Sequence, residues 1–397
     1  MEASFFKGNR QQLRARMSVQ ACVVAGNNEV QRRGDAAYPF VQDANFYYLT
    51  GINEPGWKLV IDGAKEFLIA PKRSSAQTLF DGSLSDKEAT AISGVEQVLS
   101  EEHGRHEMEK LSEKATSIGT VKKDPHQKYY GFAPNEGPAA NLRALTKLFE
   151  SVEDIRGDLL KLRAIKQPQE IDAIRRAISV SVRGFNKVKD TLSTLVNARQ
   201  VEALLSLEFT NDSDGHAYDP IVAAGSHACT LHYDVNSGEL NKGELLLIDA
   251  GARQYEYAAD ITRTYSIGEP TDRQVAVHRA VETAHYEIIN LLGPGVSMKE
   301  YIERVDEVMI RALKELDLYK DPEDYRRYFP HAISHGLGID VHDSLGGYKE
   351  FQPGMVLTVE PGIYIPEEGI GVRIEDDILI TEDGYENLSA ALPTVLY

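Results

Sequence analysis

The first part of the chain alternates short apolar runs with turn residues. QACVVAG, NFYYLTGI, WKLVIDG and EFLIAP join β-branched and aromatic residues to a following Gly or Pro, and they read as strands and turns. Charged stretches such as SDKEATAISGVEQVLSEEHGRHEMEKLSEKA lie between them and read as helical. This pattern predicts a mixed α/β domain over residues 1–155. From Arg156 the texture changes. LLKLRAIKQPQEIDAIRRAISVSVRGFNKVKDTL carries apolar residues at Ile171, Ile174, Ala177 and Ile178, which is helical spacing, and Pro168 suits a helix start. Further helices are expected from Arg273 to Leu292, stopping at GPG, and from Met298 to Leu316. Strand-like segments follow the same apolar rule: ELLLIDAG, AADITRTYSIG, MVLTVEPGIYI and GVRIEDDILIT. The chain therefore reads as α/β (α+β), with a second domain over residues 156–397.

Four acids interrupt the apolar logic of those late strands: Asp249, Asp260, Glu360 and Glu375. A buried carboxylate without a partner costs roughly several kcal/mol, so each needs a cation, a proton or hydrogen-bond donors. Only Arg263 and Arg373 lie close by in the same strands, too few bases to neutralise four acids. A bound metal is the economical answer. Oxygen ligands with one imidazole suit Mn²⁺, Co²⁺, Zn²⁺ or Fe²⁺. Imidazoles cluster nearby, because HAISHGLGIDVHD holds His331, His335 and His342. Gly336 and Gly338 break any helix there, so the segment reads as a glycine-rich turn. His232, in CTLHYD, is a fourth candidate. His103 and His106 sit in a charged helix of the first domain and read as surface residues.

Composition narrows the partners. Of 397 residues, 42% are apolar and 26% charged, and 61 acids against 43 bases leave a net charge of −18. So acidic a surface repels nucleic acid and anionic membranes, and both are excluded as partners. No run of eighteen apolar residues predicts a transmembrane helix, and MEASFFKGNRQQLRARM has no apolar signal core. Two cysteines, Cys22 and Cys229, give no disulfide framework and suit a reducing, cytoplasmic setting. Cys229 lies near His232, yet a small buried residue explains it more simply than a thiol nucleophile.

At these residues the sequence resembles the pita-bread metallopeptidases, which include methionine aminopeptidase, aminopeptidase P and prolidase. Their ligand order Asp, Asp, His, Glu, Glu stands here as IDAG (Asp249), ADITRT (Asp260), HGLG (His335), VEPG (Glu360) and RIED (Glu375). Asp249 and Asp260 also keep the family's eleven-residue spacing. The resemblance covers roughly residues 160–397. VQDANFYYLTGINEPG adds a likeness to the N-terminal domain of aminopeptidase P and related prolidases, a domain methionine aminopeptidase lacks.

The resemblance implies a pita-bread catalytic domain holding two divalent ions, with Mn²⁺ the family expectation. Asp260 and Glu375 would bridge the metals, Asp249 would hold one, and His335 and Glu360 the other. A metal-bridging hydroxide would attack the peptide carbonyl, and Glu360 would shuttle a proton to the leaving nitrogen. His232 and His342 would stabilise the tetrahedral intermediate and position the scissile amide. His331, Tyr364 and Arg373 match further active-site positions, Arg373 as a guanidinium that fixes a bridging carboxylate from the same strand face as Glu375. Family members are commonly homodimers or homotetramers.

The implied substrate is a peptide with proline at position two. An Xaa-Pro bond has no N–H for a general peptidase to grip, whereas a dinuclear site needs only the carbonyl. Prolidases clamp the free carboxylate of a dipeptide with an arginine between the ligand histidine and the first ligand glutamate. The stretch from Gly336 to Glu360 holds no arginine, with Lys349 as a weaker substitute, so Xaa-Pro aminopeptidase is favoured over Xaa-Pro dipeptidase. A metal-free peptide-binding module, or a metal-free hydrolase of the creatinase kind, would leave the intact ligand set unexplained.

Overall fold

A computed structural model describes residues 1–122 and 125–397. The chain forms two compact units, Met1–Leu162 and Arg163–Tyr397. In the first, a six-stranded sheet runs Val98–Leu99, Lys65–Ile69, Lys58–Asp62, Ala21–Ala25, Ser117–Thr120, Ser151–Asp154. Strands Lys65–Ile69, Lys58–Asp62 and Ala21–Ala25 pair antiparallel, and the outer pairings are parallel. Val23, Val60, Phe67, Ile118, Leu145 and Phe149 fill one side of this sheet, and Cys22 is buried in it.

One expected strand is a helix instead. NFYYLTGI forms the helix Ala44–Thr50, capped by the Asp43 side chain on the Phe46 amide and closed by Gly51 at φ 69°. All seven residues of that helix are buried. A helix covered on every side loses the polar stripe that would announce it, which is why it reads as a strand. The long charged stretch splits into helices Asp86–Ser93 and Glu101–Ser112, divided at Gly94 in the left-handed region. His103 and His106 are exposed there, His106 beside Glu109.

The second unit opens with the helix Pro168–Thr191, where Ile174, Ala177 and Ile178 are buried as their spacing predicts and Ile171 is half-buried. Helices Asp272–Ile289 and Met298–Glu315 start at Thr271 and Ser297 caps. They bury Val281, Ile288, Val305 and Met309 in one core with Leu357, Ile363, Val372 and Ile378 from the strands. Strand Leu245–Ala250 runs antiparallel between Ile261–Ser266 and Ile221–Ala224. Strand Asp376–Ile380 lies antiparallel between Val356–Val359 and Tyr385–Asn387, and Gly362–Ile365 pairs with Ile370–Arg373. The two late apolar runs each break in the middle, and the breaks fall at Glu360 and Glu375. No helix among the described residues is long and apolar enough to cross a membrane.

Arg263 ties this unit together. Fully buried, it donates to the carbonyls of Thr262, Glu375, Leu392 and Pro393 and to the Asp376 carboxylate. His285 lies buried beside Asp376 at 3.4 Å. Burial pushes its imidazole down to about 4 against the pull of Asp376. The folded ring thus stays neutral where an unfolded one, near 6.5, takes a proton. Stability is unaffected above pH 6.5 and falls as the pH drops from there to about 4, by on the order of 3 kcal/mol. Urea unfolding across that window should show a smaller loss in His285→Gln than in the wild type. Equal losses would remove His285 as the cause.

Candidate metal centre

Each predicted ligand is placed by backbone pairing before its side chain acts. Asp249 lies in the strand Leu245–Ala250 directly opposite Thr262 of the neighbouring strand. Opposed residues of an antiparallel pair share a face, so both point the same way. Asp260 precedes that second strand, its amide donating to Asp377 Oδ2 at 3.1 Å. Glu375 bridges to Thr262 through its backbone, and Thr262 Oγ1 donates to Glu375 Oε2 at 2.6 Å. His335 is zipped to the strand Val356–Val359: the Thr358 amide donates to the His335 carbonyl at 2.9 Å. The His335 amide in turn donates to Thr358 Oγ1 at 3.2 Å. Glu360 follows two residues on, accepting from the same Thr358 hydroxyl at 3.3 Å.

These side chains converge. Donor atoms of Asp260, His335 and Glu375 lie within 4.8 Å of one another. His335 Nε2 is 3.4 Å from Asp260 Oδ2 and 3.6 Å from Glu360 Oε1. Its Nδ1 contacts the Gly336 carbonyl at 3.0 Å, which fixes the proton there and turns Nε2 toward the acids. Asp249 joins from the other side through Tyr218, whose hydroxyl is 2.6 Å from both Asp249 Oδ1 and Asp260 Oδ1.

The electrostatics of the set call for positive charge. Burial, then Asp260, Glu360 and Asp249, push the Glu375 carboxyl well above the usual carboxylate range. Asp249 is raised chiefly by burial, against the Arg373 guanidinium. Glu360 is pushed up to about 7 by burial and the neighbouring acids, although His335 and Arg373 pull it down. Burial lowers His335, but Asp260 and Glu360 overcome it and lift the ring to about 9. One Tyr218 hydroxyl has one proton and so satisfies only one of the two aspartates it touches. Four crowded carboxylates with a single imidazole turned into them fit hard divalent cations.

A second group lines one wall. Arg373 donates to Asp249 Oδ2 at 2.6 Å, to Thr262 Oγ1 at 3.1 Å and to the Tyr364 hydroxyl at 2.8 Å. It makes no direct hydrogen bond to Glu375, two residues on. The two side chains nonetheless share a face, as their two-residue spacing predicts, because the Thr262 hydroxyl that accepts from Arg373 donates to Glu375 Oε2. Tyr364 OH and His331 Nε2 are 2.9 Å apart, and His331 Nδ1 is 2.7 Å from the Ala332 carbonyl. Burial, then Arg373, push His331 down to about 3. Neutral His331 therefore donates from Nδ1 to Ala332 and accepts the Tyr364 proton at Nε2, while Tyr364 accepts from Arg373. His331 Nδ1 also stands 3.5 Å from Glu360 Oε2.

His342 is exposed, its ring set edge-on to His335 with centroids 4.4 Å apart. His232 is exposed and near enough to His331 for its charge to act there. Cys229 is half-buried, donates to the Ile370 carbonyl at 3.4 Å and has its thiol pushed up by burial, which disfavours a nucleophilic thiolate. Sequence reasoning missed Tyr218, Thr262, Thr358 and Asp377. Tyr218, Thr262 and Thr358 carry no signal in a single sequence, because a tyrosine or threonine beside a strand is ordinary until the fold shows what it touches, whereas Asp377 is a buried strand acid like the four ligand candidates.

The comparisons agree with this geometry. The sequence profile of metallopeptidase family M24 matches residues 172–382, and that of the aminopeptidase P N-terminal domain matches residues 6–119. An Xaa-Pro aminopeptidase of Haemophilus influenzae is 34% identical over 392 residues, covering 92% of this chain and 89% of that protein. The solved structure of proline aminopeptidase P II from Yersinia pestis superposes with a TM-score of 0.87 at 31% identity, covering 100% of this chain and 98% of that one. Aminopeptidase P from Escherichia coli gives 0.86 at 29%, covering 100% and 96%. An N-terminal aminopeptidase P domain, a pita-bread domain and a buried acid set that calls for divalent metal agree in one assignment: the chain belongs to metallopeptidase family M24.

Proposed function

We propose that this protein is an Xaa-Pro aminopeptidase, which releases the N-terminal residue from peptides with proline at position two. The observation that carries the reading is the convergence of Asp249, Asp260, His335, Glu360 and Glu375 in a chain whose relatives bear that name. Asp249, Asp260, His335, Glu360 and Glu375 would hold two divalent ions, with Mn²⁺ the family expectation. When bound, the metal pair supplies Lewis acidity and a nucleophilic water near neutral pH.

The chain's own residues do the rest. Glu360 would take the proton of the attacking water and give it to the proline nitrogen. His342 and His232, exposed at the edge of the acid set, donate to the tetrahedral oxyanion and align the amide. The Arg373–Tyr364–His331 chain holds His331 neutral beside Glu360, so that Glu360 meets no second fixed cation on that side.

The absence of an arginine between Gly336 and Glu360 favours peptides longer than two residues. Lys349 is exposed, and its carbonyl is occupied by the Met298 amide. Xaa-Pro and Xaa-Pro-Yaa, offered separately and followed by mass, decide the point. Faster release of Xaa from the tripeptide is expected. Rapid dipeptide hydrolysis with an inert tripeptide would make the enzyme an Xaa-Pro dipeptidase.

A further inference from the structure

A buried charge cluster lies immediately behind His342, and the chemistry above does not use it. Arg163 ends the helix Arg156–Ala164, and Lys166 lies in the short link to the helix Pro168–Thr191. Both are buried, at 2% and 4% exposure. They converge on Asp343, the residue after His342, itself 6% exposed. Arg163 Nη2 donates to Asp343 Oδ1 at 3.0 Å and to Asp340 Oδ2 at 2.5 Å, and Lys166 Nζ is 3.6 Å from Asp343 Oδ2.

Such a cluster is a poor way to gain stability. Desolvating ions costs about as much as their attraction returns, and apolar replacements are often as stable. What a buried ion group does supply is one geometry. Here the geometry is that of the loop from His335 to Asp343. The Asp343 amide donates to the Gly336 carbonyl at 2.8 Å, so the loop closes on itself just beside the ligand histidine. The Asp343 carboxylate tucks under Gly338, where any Cβ would stand 2.3 Å from Oδ2. His342 is left exposed, one residue from this anchor, with its ring against His335.

We propose that Arg163 and Lys166 are positioning residues for His342, acting through Asp343. They touch neither the acid set nor the substrate. They fix the backbone from which His342 reaches the scissile amide. The proposal rests on the Xaa-Pro aminopeptidase reading, and its test separates the two.

Arg163→Met and Asp343→Asn are each made alone and in the His342→Ala background, and Xaa-Pro-Yaa hydrolysis is followed with metal content measured alongside. Each single variant should lower kcat about tenfold with KM little changed and the bound metal undiminished, since misplacing a group by about 1 Å costs as much or more. In the His342→Ala background the same substitution should have no further effect, because the group being positioned is gone. A general structural role would give the full additional loss there, and that result would overturn the proposal. So would wild-type kcat in either folded variant, or loss of metal. Should Arg163→Met fail to fold, the near-isosteric Asp343→Asn decides alone. A wild-type protein without any turnover would instead overturn the functional reading itself.

Discussion

Asp260→Asn abolishes turnover and leaves the fold in place. Asp260 is the residue on which the centre turns: Tyr218 at 2.6 Å, His335 at 3.4 Å and the Asp377 carboxylate on its own amide all meet there. Asparagine keeps the volume and the backbone bond to Asp377, and it removes one negative charge from a crowd of buried acids. The loss therefore falls on metal binding and not on folding. Removing an outer-shell partner of a metal costs about 10–100-fold in affinity or activity, and removing a proposed ligand should exceed that. The checks are metal content, circular dichroism and kcat. Unchanged dichroism with metal and activity gone is the expected result. Full activity would show that Asp260 holds no essential ion.

His342→Ala tests a different part of the account. The ring is exposed and meets His335 edge to face, while the loop beneath it is closed by the Gly336–Asp343 hydrogen bond and by Arg163. Truncation leaves that framework standing. With a donor to the tetrahedral intermediate gone, kcat should fall about 10²-fold or more while metal stays bound. Metal loss in this variant would move His342 from substrate to metal support, and an unchanged kcat would remove it from the mechanism.

The four acids of the centre were legible because each breaks an apolar pattern that the late strands otherwise obey, and the imidazole because it sits in a cluster of histidines. A carboxylate at Asp249, in a strand buried along its whole length, has few explanations. The helix Pro168–Thr191 was legible for the converse reason, since one face is apolar and the other charged. What escaped had no pattern to break. The helix Ala44–Thr50 is buried all round, so nothing polar marks its period. Tyr218 lies 31 residues from Asp249 and 42 from Asp260 and meets them only in the folded chain. Arg373 shares the face of Glu375, as strand spacing predicts, but its direct partner Asp249 lies 124 positions away and meets it only in the folded chain. The Arg163–Lys166–Asp343 cluster joins residues about 180 positions apart, each an ordinary charged residue in its own neighbourhood.

The most direct test of the account is metal-dependent cleavage before proline. The protein is stripped with chelator, Mn²⁺ is restored, and products of an Xaa-Pro-Yaa peptide are weighed. The account predicts no turnover in the stripped protein and release of free Xaa together with Pro-Yaa once the metal returns. Undiminished cleavage after stripping, or no cleavage before proline with metal restored, would contradict it.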